Sequence, residues 1–262
     1  MEASPPGTLR RVPARATIRG VVVAGLGTYR RRFGRVVIAA IAVFAPIDLV
    51  VTLASAAAKD AAEKADVLSI VVGVAGTAAS LAGTTLSLVF FAGVIDRIVA
   101  VDQLGDEDAP LLRILQDLPT ARLILAGTLA SALIVAGLLL LIVPGLLLMV
   151  LLCLVGPLVV IEDLRVWASV RRSARLVWRH LFLTTIVVLV PTMLEEELST
   201  WLERYSWYEH PLVHLPFDVA STILVGGLIG VLEVTLAHAL IADHRRRREA
   251  AARPHPEDAV IL

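Results

Sequence analysis

From Leu123 to Ile161 the chain runs for 39 residues without a charged side chain. As one helix this run would be about 58 Å long, roughly twice the ~30 Å hydrocarbon thickness of a bilayer. Pro144–Gly145 sits near its middle, and such a pair punctuates helices. The run therefore reads as two spans, Leu123–Val143 and Leu146–Ile161, turning at Pro144–Gly145.

The other long apolar runs extend this reading. Val36 to about Ala58 is broken only by Asp48, and Val67–Ile95 is uncharged. Leu181 to about Leu194 contains Pro191, and a last run reaches from about Phe217 to Ala242. Together they predict an all-α polytopic helix bundle of six spans. Composition agrees: 57% of residues are hydrophobic and 18% charged, against about 45–50% and about 25% in an ordinary globular domain. The expected organisation is a cytoplasmic N-terminal segment over residues 1–35, a six-span domain over 36–242 and a basic cytoplasmic tail over 243–262. No cleavable leader is legible in the first twenty residues, which lack a compact apolar core.

Charge placement sets the orientation. With both ends inside, 21 of the 24 basic residues fall on the cytoplasmic side, and only Lys59, Lys64 and Arg204 outside. That is the bias of the positive-inside rule, and it predicts that both ends lie in the cytoplasm. Five spans would put either the Arg-rich N-terminus or Arg245–Arg248 outside. Trp167, Trp178, Trp201, Trp207, Tyr29, Tyr205 and Tyr208 all fall near span ends, as an aromatic belt requires.

Arg165–His180 is amphipathic. At 100° per residue, Arg171, Arg172, Arg175 and Arg179 share one arc, and Val166, Trp167, Val170, Ala174, Val177 and Trp178 another. Such a helix lies in the membrane plane and attracts anionic lipid, with Arg165, Arg171, Arg172, Arg175 and Arg179 as the candidate contacts. A linker that only enforces orientation is the plainer alternative. Ile18–Phe33 predicts a second interfacial helix, with Ile18, Val22, Leu26, Tyr29 and Phe33 on one side and three glycines that weaken it. Residues 108–118 predict a short third helix. Small residues Gly73, Thr77, Ser80, Thr84 and Ser87 stripe the second span, and Gly226 and Gly230 the sixth, which permits close helix approach.

Ionisable groups at membrane depth suggest function by default. Asp48 lies about 18 Å along the first span, and Glu233 about 13 Å from the inner end of the sixth, with His238 on its general side. They read either as a polar path for a proton or small solute, or as satisfied polar contacts that fix packing. The acidic run Glu195–Glu197 with Glu203, Glu209, His210 and His214 reads as a solvated outer rim. Cys153 is the sole cysteine, so no intrachain disulfide is possible. No Walker loop, G-x-S-x-G or H-E-x-x-H occurs. The residues call for no catalytic, metal or cofactor site, and beside a membrane the Arg clusters read as lipid contacts rather than nucleic-acid contacts.

The stretch from Pro144 to Arg179 resembles the membrane domain attached to some glycerophosphoryl diester phosphodiesterases and the related YciC-like membrane proteins. The matching positions are Pro144, Gly145, Pro157, Glu162, Ala168, Arg172, Ser173 and Leu176. The resemblance implies a six-helix bacterial inner-membrane domain. It does not imply phosphodiesterase activity, which in the fused proteins resides in a separate soluble barrel. Glu162 could pair with Arg165 at helical spacing, or with Arg172 if the chain bends between them. In either case the motif reads as a clamp joining a span to the interfacial helix. The expected function is a non-enzymatic membrane scaffold, or a domain binding anionic lipid or a membrane-protein partner. The alternative is a small-solute or proton-coupled transporter, or its accessory subunit, using Asp48 and Glu233.

Overall fold

A computed structural model describes residues 16–62, 67–103, 111–204 and 222–252, and no strand occurs among them. The helices are α1 (Ile18–Arg31), α2 (Phe33–Ala62), α3 (Val67–Gln103), α4 (Leu111–Gln116) and α5 (Thr120–Leu140). They continue with α6 (Ile142–Leu152), α7 (Val155–Ile161), α8 (Val166–Trp178) and α9 (Leu181–Arg204). A π-helical turn, Thr222–Gly226, leads into α10 (Gly227–Ala252).

Two prolines set the breaks in the central uncharged run. A proline ring collides with the carbonyl four residues back and has no N–H to offer it, so proline suits the first turn of a helix and kinks or breaks one further in. Pro144 is the third residue of α6 and Pro157 the third of α7. The chain therefore breaks at extended Leu141 (φ −162°, ψ 143°), three residues before the expected Pro144–Gly145 turn. A second break follows at Cys153–Leu154, which divides the expected fourth span into α6 and α7. Gly145 and Gly137 meet across the α5–α6 turn: a Cβ built on Gly137 would stand 3.0 Å from the Gly145 Cα.

The first of two apolar clusters centres on α3, where Phe44 and Phe91 stack with centroids 4.9 Å apart among side chains of α2, α5 and α7. The second gathers α1, α6, α7, α8 and α9 around Leu232, Leu236 and Leu240 of α10. Glycines set the close approaches. Gly127 of α5 faces Leu86, Gly230 of α10 faces Phe91, and Gly156 of α7 faces the Val89 backbone. All three partners lie on α3. The expected small-residue stripe of α3 contributes less, since Gly73 has open space around it and Ser87 bonds its own helix at Gly83 O. Thr77 and Ser80 lie outside the described side chains.

α1 forms despite its glycines. The Thr17 side chain caps it by accepting from the Gly20 N–H at 3.2 Å, and Gly25 packs on Leu232. The face packed on the bundle is Val21 and Gly25, whereas Leu26 and Phe33, on the apolar side expected of an interfacial helix, are exposed. Tyr29 donates its hydroxyl to the Leu224 carbonyl at 2.9 Å, satisfying a backbone group of the π turn.

Four stretches are long and apolar enough to cross a membrane: Ala82–Ala100, Thr120–Leu140, Ile142–Ile161 and Ile223–Ala251. A fifth is added if α8 and Leu181–Leu194, bent by 103°, count as one. Phe33–Pro46 is a shorter apolar helix. At its C-terminal end α10 carries on past Ala242 to Ala252, so the first part of the expected tail is helix. Of the helix expected over residues 108–118, α4 is present with Ile114 and Leu118 buried, while Asp108 and Pro110 lie outside the described residues.

Gly156→Ala drives a methyl group into the Val89 backbone and is expected to destabilise the detergent-purified protein by about 1–3 kcal/mol. Gly34→Ala, where nothing lies within 4 Å, is expected to be neutral or to stabilise by up to ~1 kcal/mol. Thermal unfolding of the two variants side by side checks the contrast.

Candidate functional site

α8 has three sides rather than two. Ser169, Val170, Ser173, Leu176 and Val177 are buried against the bundle. Ser173 donates its hydroxyl to the Leu151 carbonyl at 2.6 Å, where α6 ends and the ordinary helical partner is lost. Arg172 forms a two-pronged ion pair with Glu162, Nε to Oε2 and Nη2 to Oε1, both at 3.0 Å and both side chains largely buried. The outward side carries Trp167 and Trp178, 53% and 63% exposed. The Arg171 guanidinium lies 5.4 Å from the Trp167 ring centroid. Arg165, Arg171, Arg175 and Arg179 are exposed.

This corrects two expectations. Trp167 and Trp178 do not pack with Val170 and Val177, because Ser169, Ser173 and Leu176 roll the buried arc toward the serines. Arg172 leaves the set of lipid contacts: the bend after Ile161 brings it to Glu162, while Arg165 stays exposed at the start of α8. The remaining motif residues have local roles. Pro144 and Pro157 open α6 and α7, Gly145 admits Leu138, and Leu176 is buried; Ala168 is exposed.

The bend also ties α8 to α10. Asp243 lies 3.6 Å from His180 Nε2 and accepts from Arg247 Nε at 2.7 Å. Burial holds the His180 imidazole below its usual pKa despite Asp243 beside it.

Among the ionisable groups expected at membrane depth, Glu233 is buried, 3% exposed, on α10. Asp48 lies on α2, but its side chain is outside the described residues. His238 meets a residue the sequence did not flag: its Nε2 donates to Asp96 Oδ1 at 2.7 Å, and both side chains are buried. Asp96 adjoins the end of the uncharged run Val67–Ile95, so it reads in sequence as the first loop residue. Helix α3 continues through it, and the signal that could have found it is the buried histidine's need for an acceptor. The acidic run Glu195–Glu197 and its neighbours lie almost wholly outside the described side chains. Among the described residues no three His, Cys, Asp or Glu side chains gather to hold a metal.

The profile of a domain of unknown function, DUF7847, matches residues 117–244. The match extends from the residues preceding α5 into α10, so it includes α8 and its clamp. No curated protein and no solved structure matches the chain.

Removing either partner of the buried Asp96–His238 hydrogen bond leaves the other unsatisfied, at a cost of about 1–3 kcal/mol, and more where the group left behind is charged. Asp96→Ala and His238→Ala are each expected to destabilise on that scale. The double variant should cost less than the two together, and a double-mutant cycle on purified protein measures the difference.

Proposed function

We propose that this chain is a six-span protein of the bacterial cytoplasmic membrane with both ends in the cytosol, and that it acts without catalysis as a scaffold seated on anionic lipid through α8. The observation that carries this reading is the outward side of α8, where Trp167 and Trp178 lie beside Arg171 and Arg175. Indole rings favour the headgroup level, and cations beside them favour anionic lipid. The 103° bend between α8 and α9 supports it, because a helix nearly perpendicular to a span lies along the membrane plane. The remaining two spans come from α2 and α9, which carry the apolar runs Val36–Ala58 and Leu181–Leu194. The likeness of residues 144–179 to the glycerophosphoryl diester phosphodiesterase membrane domain supports the same architecture. The Asp96–His238 pair, closed on itself and away from solvent, favours a packing role for the buried charges over a transport path.

Topology is tested by single-cysteine labelling in a Cys153→Ala background. Ser4→Cys and Ala259→Cys are expected to be shielded from an impermeant maleimide in intact cells, and Glu209→Cys to be labelled. Labelling of either end overturns the six-span reading.

The lipid face is tested in proteoliposomes containing brominated phosphatidylglycerol. Trp167 and Trp178 fluorescence is expected to be quenched, each ring being isolated by replacing the other tryptophans with Phe. Arg171→Gln with Arg175→Gln is expected to lower protein-associated phosphatidylglycerol severalfold in mixed bilayers. Unquenched rings and unchanged lipid association would remove α8 from the membrane surface.

A further inference from the structure

At the same end of the bundle, where α3 and α7 finish and α5 begins, lies an open cavity of about 630 Å³. Arg97, Asp117, Arg122 and Asp163 supply its polar lining, and Val159 and Val160 of α7 an apolar wall. One guanidinium there is committed. Arg122 donates Nη1 to Asp163 Oδ1 at 2.6 Å. Asp163 holds that position in the left-handed region, at φ 47°, a conformation Asp tolerates better than most residues.

Arg97 differs. It follows Asp96 on α3, so its side chain leaves the helix about 100° further round, toward α5 and α7 instead of α10. Among the described residues its Nε is buried and meets no hydrogen-bond acceptor. A buried donor left unmade costs about 1–3 kcal/mol, and more on a charged group, so it calls for an acceptor beyond the described residues, which a bound ligand can supply. A planar guanidinium fork matches the oxygens of a phosphate.

We infer that this cavity binds the phosphate group of an amphiphile, with Arg97 as the principal ligand and Arg122, oriented by Asp163, as the second. Val160 accepts the apolar part beside the head. The four charged side chains balance, so the cavity selects by geometry at Arg97 and not by bulk charge. A phosphate could reach it from a lipid headgroup or as the free ion. The inference rests on the membrane reading above but uses none of the α8 arginines.

The test is binding to the full chain in an uncharged glycoside detergent. Short-chain phosphatidylglycerol adducts are counted by native mass spectrometry, and inorganic phosphate is titrated by calorimetry. Wild type is expected to hold phosphatidylglycerol, with an affinity reduced about tenfold by Arg97→Gln and only partly by Arg97→Lys, which keeps the charge without the fork. Arg122→Gln, at a side chain half exposed to solvent, is expected to weaken binding without loss of fold, and carries the test if the Arg97 variants do not fold. Phosphate binding that depends on Arg97 or Arg122, with no preference for the lipid, supports the site and assigns it to the free ion. Binding of neither probe by wild type overturns the inference, as does binding indifferent to Arg97→Gln and Arg122→Gln. Arg171→Gln with Arg175→Gln should leave this binding intact while lowering bilayer phosphatidylglycerol association, so failure here and failure of the α8 reading are separable.

Discussion

The hydroxyl of Ser173 on the Leu151 carbonyl is the contact around which the α6–α8 end of this bundle is organised. Pro157 forbids α6 and α7 from being one helix, and the resulting break strands backbone groups within an apolar interior. A backbone carbonyl without a partner in such surroundings costs several kcal/mol. Supplying the donor from α8 makes the position of α8 a condition of the break. The Glu162–Arg172 ion pair then closes the same corner from the other side. Two polar contacts on adjacent residues of α8, Arg172 and Ser173, thereby fix how that helix is rolled. That roll determines that Trp167 and Trp178 face outward.

Apolar faces bring the helices together, and glycines decide how near they come. α3 receives α5, α7 and α10 at Gly127, Gly156 and Gly230, in each case with bulk on α3 and the gap on the partner. Leu86, Val89 and Phe91 fill those gaps, so α3 acts as a ribbed central post. Ser131 of α5 adds a crossing hydrogen bond to the Ala82 carbonyl at 3.1 Å. In apolar surroundings, where helices gain little from excluding water, such close van der Waals packing is the main source of association.

Much of this was legible in the sequence, because hydrocarbon thickness forces apolar runs of a set length. Six runs were readable, and four to five helices of sufficient length and apolarity appear among the described residues. The turn at Pro144 was misplaced by three residues, since proline acts on the helical turn before it and not on its own position. The faces by which α1 and α8 pack on the bundle were not legible, for a common reason. A hydrophobic wheel counts apolar side chains, yet the packed faces here are built on Gly25, Ser169 and Ser173, which such a wheel treats as blank or polar. Asp96 was lost at the boundary of an uncharged run, where one residue decides between loop and span.

Glu162 and Asp163 show how a single corner can serve two elements. They are adjacent, yet one carboxylate clamps Arg172 of α8 and the other Arg122 of α5. Consecutive side chains in an ordinary helical turn diverge by only about 100°. The left-handed backbone at Asp163 ends α7 abruptly and turns its carboxylate away from its neighbour's. Because the two clamps anchor in adjacent residues, the roll of α8 and the orientation of Arg122 share one mechanical support. A substitution that relaxed Asp163 into an extended conformation would therefore be felt on α5 and α8 together, although neither helix had changed sequence.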